Sequence, residues 1–398
     1  MKKTFLLLGM FALLGAGCAK LAFLPSSTSS QDLFGTSHFG QNATPDVQVT
    51  LKGGMVRPFP GPFWWDQIET SSDVFDWSKA DAEVQKWNKA DQDILAVIWP
   101  FAQWDQVRCH GKEATVKHPF TDEQVHLSSF CHVDSYQEFV TKLVERYDGD
   151  GTDDMPGLTH PIKHWEVSSE PDVQTDTQHF YQAGPMAYAE ALHSTYEFIK
   201  QADADARVVT GGQNGNTPSG RDFFQQVLPF NRQQFDIANI HSLSADLGFF
   251  AKPYRSFING LGFEEKPFWI TEAVVGSSEV GMSWDEETTA RNTFIGYATA
   301  FGNGAEKVFA LEHSSEKAKQ VFERMAETVG FFEKAEMIGS NIVLFTVEGK
   351  TIFALWDNAS LPGDYTNQKV NVIRYDGTKS KQDASSLKAD VPMFVIVE

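Results

Sequence analysis

Only three cysteines occur in 398 residues, at Cys18, Cys109 and Cys131, so the chain can build neither a dense disulfide framework nor a four-thiolate metal site. Positive charge is also scarce. Against 33 Lys and Arg stand 53 Asp and Glu, a formal net charge of −20 that repels polyanions over long range and argues against nucleic acid as a partner. The N-terminal apolar run, residues 5–14, falls well short of the roughly 20 residues that a bilayer-spanning helix needs. What the chain does have is 41% hydrophobic and 13% aromatic residues, which excludes general disorder and supplies a large core.

Lys2 and Lys3 precede that apolar run, and Gly15-Ala16-Gly17-Cys18 follows it. A charged segment, a short hydrophobic segment and small residues make an export signal. Because Cys18 follows the small residues directly, residues 1–18 resemble a bacterial lipoprotein signal, although Gly15 stands where such signals usually carry Leu. The resemblance implies lipidation at Cys18 and a membrane anchor in the cell envelope, with Ala19 favouring the outer membrane. An ordinary secretory signal cleaved nearby is the alternative. Residues 19–33, rich in Ser and Thr and without periodicity, read as a tether.

In an exported chain Cys109 and Cys131 are either a disulfide pair or two free thiols. Each is followed by His, at His110 and His132, but adjacent residues point apart and lack zinc-ligand spacing, so no metal is expected there. The stretch from Asp148 to Asp154 has the spacing of an early calcium loop, yet Thr159 occupies the position of the needed bidentate Glu, so it reads as a solvated turn. No cofactor is expected.

From residue 34 to 337, short apolar strands alternate with amphipathic helical stretches, the pattern of parallel βα units. Strands are expected at 34–39, 55–59, 94–99, 165–169, 207–211, 237–243, 268–272 and 308–311. Helix starts are signalled by Ser78 with Asp81, Ser135 with Glu138 and Ser283 with Glu286, and Gly302 is placed to stop the last of these. Eight strands and intervening helices predict an α/β fold, a (β/α)8 TIM barrel; a doubly wound sheet is the competitor. Residues 338–398 change rhythm to hairpin-like alternation and read as a small C-terminal β-sandwich-like module.

Two expected strands end in glutamate: Glu170, followed by Pro171, and Glu272. Proline cannot extend a ladder, so Glu170 is presented at the strand end, with Glu166 deeper on the same face and Arg57 as its nearest expected partner. Trp165-Glu166-Val167-Ser168-Ser169-Glu170-Pro171 resembles the Trp-Glu-Val-x-Asn-Glu-Pro signature that closes strand four in the clan of barrel glycoside hydrolases with catalytic glutamates on strands four and seven. Ile270-Thr271-Glu272 resembles the closure of strand seven. Phe75-Asp76-Trp77-Ser78, Asp81, Gly211-Gly212 and His241 follow the order found in that clan.

The resemblance implies a retaining glycosidase acting on an oligo- or polysaccharide, with Glu170 as general acid/base of raised pKa and Glu272 as ionised nucleophile. It also implies a sugar contact from Ser169, which stands in place of the clan's Asn; His241, at a strand end, is a candidate to hold the nucleophile by hydrogen bonding and to line the substrate site, or a structural histidine. Arg57 and Glu312 are further candidates to line the substrate site. Trp64 and Trp99 are candidate stacking platforms at the rim, with Trp65 and Trp104 nearby. Ser169 and the Glu312-His313 end of strand eight leave a second reading open, a surface lipoprotein that binds glycans without cleaving them.

Overall fold

The structure is a computed structural model that describes residues 36–44, 49, 51, 53–175, 178–276 and 282–397. The expected signal, Cys18 and tether lie outside the described residues. Among those described, no helix is long and apolar enough to cross a membrane.

Eight parallel strands, joined by a two-residue ninth at Gln213–Asn214, form the central sheet: β1 Phe39–Ala43, β2 Met55–Pro58, β3 Asp93–Ile98, β4 His164–Val167, β5 Arg207–Thr210, β6 Ala238–Ser242, β7 Phe268–Ala273 and β8 Ala305–Ala310. Neighbours pair in chain order, and β8 returns to pair with β1, Phe39 against Val308. The circle closes between β5 and β6 through a parallel bridge of Val209 with Ile237, where the Thr210 N–H donates to the Ile237 carbonyl at 3.0 Å. The expected barrel is therefore the observed one. Its first strand lies further along the chain than 34–39, because polar Gln41 and Asn42 weaken the apolar signal of β1.

Helices follow every strand from β2 onward: α1 Ser78–Lys89, α2 Val133–Glu145, α3 Gly184–Ala202, α4 Pro218–Phe230, α5 Ala251–Gly260, α6 Glu286–Gly302 and α7 Glu316–Val329. The described residues between β1 and β2 form no helix. All three start signals mark a helix but resolve differently in detail. The α6 cap is Asp285, whose carboxylate accepts from Thr288 N–H at 2.8 Å, so Ser283 lies outside the helix. Ser135 lies inside α2, which begins at Val133. Asp81 does not cap α1; it clamps α1 to α2 by accepting from Arg146 at 2.8 and 2.6 Å and from the Tyr147 hydroxyl at 2.8 Å.

Alternation along the strands sorts the barrel interior into layers. Met55, Leu95, Val209, Ile237, Trp269 and Phe309 form a closed apolar cluster of their own, separate from the strand–helix core. Two residues further along β2 and β7 stand Arg57 and Thr271, and along β6 Asn239 and His241 follow Ile237; all are buried. An apolar floor thus carries a polar layer at the C-terminal end of the barrel. Gly40 is required by the floor, since a Cβ there would lie 2.4 Å from the Phe309 ring.

The C-terminal module is a six-stranded antiparallel sheet of β9 Lys334–Gly339, β10 Ile342–Val347, β11 Lys350–Leu355, β12 Lys369–Arg374, β13 Lys379–Asp383 and β14 Met393–Val397, ordered β9-β10-β11-β14-β12-β13. One face docks on the barrel, with Phe394 against Phe294 of α6 at 4.7 Å between ring centroids. The other encloses a small core of its own around Phe353, Leu355 and Val370. β9 and β13 were not legible in the sequence, because charged residues recur through both.

Candidate active site

Strand ends build this site. β4 stops at Val167, after which Ser168 and Glu170 take positive φ of 62° and 43°. Such conformations cost a non-glycine residue about 1–3 kcal/mol, and they turn the Glu170 carboxylate over the barrel mouth. β5 breaks at Gly211-Gly212, and the chain then re-pairs with β6, setting Asn214 beside His241. A Cβ at Gly212 would lie 2.1 Å from His241 Nε2, so only glycine leaves room for the imidazole.

Glu170, His241 and Glu272 converge, each offering a ligand-capable atom within 4.8 Å of the others. His241 Nδ1 lies 2.8 Å from Glu170 Oε1 and 3.5 Å from Glu272 Oε2. Facing ionised carboxylates, which only accept, Nδ1 carries a proton. Nε2 meets the Thr271 hydroxyl at 3.0 Å. The second oxygen of Glu170 accepts from Asn214 Nδ2 at 2.9 Å.

Arg57 is fully buried beneath them. Nε and Nη2 donate to Glu166 at 2.7 and 3.0 Å, Nη1 to Glu272 Oε1 at 2.7 Å and to Asn42 Oδ1 at 2.9 Å, and Nη2 also to Ser169 Oγ at 3.1 Å. The guanidinium has five N–H donors, and five acceptors use them. The expected pairing with Glu166 is present. The expectation that Arg57 contacts substrate is corrected: with no donor to spare, it holds Glu272 in place. Ser169, likewise fully buried, turns its oxygen onto Arg57.

The protonation pattern of the free site also differs from the expected one. Burial pushes the Glu170 carboxyl up, but the hydrogen bond and charge of His241, with Asn214 and Arg57, outweigh it and hold the group below its ordinary value. Burial raises Glu272 above its ordinary value, the charges of His241 and Arg57 offset this only in part, and Glu170 adds to it. Burial works to lower His241, yet the Glu272 and Glu170 carboxylates raise it. The imidazole of His241 thus favours the ionised form of Glu170, and the two carboxylates favour the protonated form of His241, the reverse of the expected proton on Glu170.

The expected aromatic platforms are corrected as well. Trp64 and Trp99 are buried and stack on each other, 4.5 Å between centroids, and Trp99 is covered further by Phe180 and Phe120. Trp99 donates to the Pro60 carbonyl and Trp104 to that of Glu69, so these rings pack rather than stand open. Trp65 is fully buried, with its indole N–H on Glu69. Phe59 reaches back from this cluster to lie 4.5 Å from the Arg57 guanidinium. Glu312 is half-buried beyond β8 and takes no part in the bonded cluster; neighbouring His313 is pushed down to about 4 by burial, with Lys319 adding to the shift.

Asn42, Asn214 and Asp172 were not singled out in the sequence. Asn42 was hidden by the misplaced first strand. Polar residues directly after the Gly211-Gly212 break were the available signal for Asn214. Away from the cluster, Cys109 and Cys131 form a disulfide with Cα atoms 5.8 Å apart, which removes both thiolates as metal ligands. In the Asp148–Asp154 turn, carboxylates of Asp148, Asp150 and Asp154 accept from backbone N–H groups of the turn itself.

No protein-family model matches the chain, and no curated protein matches its sequence. Among solved structures, the chain is similar to a family 39 glycoside hydrolase from the gut symbiont Bacteroides cellulosilyticus, at TM-score 0.59 and 12% identity over 92% of this chain and 82% of that one. A family 39 β-xylosidase from Caulobacter crescentus matches at TM-score 0.56 and 12% identity, over 92% and 96% of the two chains. The catalytic domain of a family 30 xylanase C from Talaromyces cellulolyticus gives 0.56 and 12%, over 92% and 97%. Its structural neighbours are thus barrel glycoside hydrolases, and at such identities the likeness establishes the fold that the chain shares with them.

Proposed function

We propose that the chain is a retaining glycoside hydrolase that cleaves β-linked O-glycosidic bonds outside the cytoplasm, with Glu272 as nucleophile and Glu170 as acid/base. The observation that carries this reading is the approach of the two carboxylates to within 4.8 Å. Retaining enzymes hold their carboxyl groups about 5–5.5 Å apart, whereas inverting ones need about 6.5–9.5 Å to admit water between them.

In the first half-reaction a Glu272 oxygen attacks the anomeric carbon as the bond to the leaving oxygen breaks, and Glu170 gives that oxygen its proton. In the second, water attacks the same carbon, passes a proton to Glu170 and releases the Glu272 carboxylate. Glu170 must therefore gain a proton before the first step. The 2.8 Å bond from His241 Nδ1 is the route for it once a bound sugar desolvates the pair. Arg57 keeps Glu272 ionised and aimed. The disulfide supports an oxidising compartment, and the lipoprotein-like signal supports anchorage to the envelope through Cys18.

Turnover of a panel of aryl β-glycosides tests the reading. The wild type should hydrolyse at least one, Glu272→Ala should abolish this, and azide should restore aglycone release in that variant. Tight glycan binding with no turnover at any pH would favour the non-catalytic lipoprotein instead.

A further inference from the structure

Beside Glu170 the surface opens into a groove of about 600 Å³ between the segment after β4 and helix α4. Its inner end is made by Asn214, which holds Glu170, and by Asp172. Gln174, Gln178 and Gln226 line its length, and Phe223 is packed beneath one wall against Tyr188 and Phe224. Both Asp172 oxygens accept from the Asn214 N–H, at 3.1 Å each. A carboxylate has acceptor capacity for about four hydrogen bonds, so capacity remains toward the groove. Gly220 makes room for this group, since a Cβ there would lie 2.7 Å from Asp172 Oδ2.

Amide, hydroxyl and carboxylate groups together are the chemistry that hydrogen-bonds a polyhydroxylated ring. No described residue lining the groove is Lys, Arg or His, while Asp172 and Asp222 both contribute carboxylates. The acid stands on the side of the scissile bond from which the leaving group departs. A groove whose end is formed by Asn214, the residue that holds Glu170, therefore lies on the side of that group.

We propose that this groove binds the leaving-group part of the substrate and selects a neutral saccharide unit there, rejecting units with carboxylate or sulfate substituents. The inference rests on the glycosidase reading and deepens it. It makes the natural substrate an oligosaccharide extended past the cleaved bond rather than a glycoside of a small alcohol.

The test compares aryl glycosides, whose leaving group is too small to fill the groove, with neutral oligosaccharides and with oligosaccharides bearing a uronate at the leaving unit. The variants are Gln178→Ala/Gln226→Ala, both at exposed positions, and Ser219→Trp, which adds bulk at the groove wall. Both should keep aryl-glycoside kcat/KM within about twofold and lose about tenfold on neutral oligosaccharides, chiefly through KM, equivalent to about 1.4 kcal/mol. The wild type should prefer the neutral oligosaccharide to the uronate. Equal losses on aryl and oligosaccharide substrates, or no loss on either, would overturn the proposal and leave the glycosidase reading intact. A wild type inert toward every glycoside would remove the glycosidase reading. The groove is then judged from the side-chain amide NMR signals of Gln178 and Gln226, which shift on titration with neutral oligosaccharide if it is a saccharide site and stay fixed if it is not.

Discussion

Nδ1 of His241 stands 2.8 Å from Oε1 of Glu170. This contact holds Glu170 below its ordinary pKa and sits on the same imidazole that lowers Glu272. Removing the imidazole raises both carboxyl groups. The two limbs of the kcat/KM profile report the titration of the coupled Glu170–Glu272 pair. His241→Asn should therefore displace the whole profile toward higher pH while kcat falls by about 10²-fold. A pH series on an aryl glycoside reads both effects; an unmoved profile would separate His241 from proton delivery.

Arg57 donates two hydrogen bonds to buried Glu166, and it also binds Glu272. Breaking a buried ion pair by deleting one partner typically costs about 3–5 kcal/mol, since the remaining charge is stranded. Arg57→Met should lose stability of that order in urea titration, together with activity. A variant as stable as the wild type would contradict the five-bond arrangement.

Gly212→Ala adds one methyl group where the His241 ring stands. The expected result is a folded protein with reduced kcat, because the imidazole must shift away from Glu170. Far-ultraviolet circular dichroism and aryl-glycoside kinetics together check this.

The Cys109–Cys131 bond spans a sequence separation of 22. Closing a loop of that size stabilises by about 3 kcal/mol in the chain-entropy account. Cys109→Ser/Cys131→Ser should lower the thermal midpoint by a matching amount, and dithiothreitol should lower that of the wild type but not of the double variant.

Asp172 is pushed up to about 7, chiefly by burial. Its folded-state pKa exceeds the ordinary 3.8, so the folded protein binds this proton more tightly than the unfolded chain does. The stability that it contributes is complete below the unfolded pKa and is lost as pH rises through about 7. Asp172→Asn should flatten the fall in thermal midpoint between pH 4 and 8 that this group imposes.

The barrel was legible because apolar strands such as residues 94–98 and 268–270 are buried on both faces and leave continuous hydrophobic runs. Glu170 and Glu272 were legible for the opposite reason, as carboxylates ending such runs. Arg57 was found as a partner of Glu166, but its bond to Glu272 bridges residues 215 apart and left no local trace. The tryptophans misled because indole content reveals aromatic density but not which face is open; Phe120 and Phe180, from loops whose path the sequence does not set, cover Trp99. The direction of the Glu170 and Glu272 shifts depended on where one imidazole nitrogen points, which is a matter of ångströms rather than of sequence.

The central claim, that Glu170 and Glu272 work as a retaining pair, is tested most directly by following the anomeric proton of the first-formed product by NMR during hydrolysis of an aryl β-glycoside. The account predicts that the β-anomer appears first and mutarotates afterwards. Initial appearance of the α-anomer would contradict it.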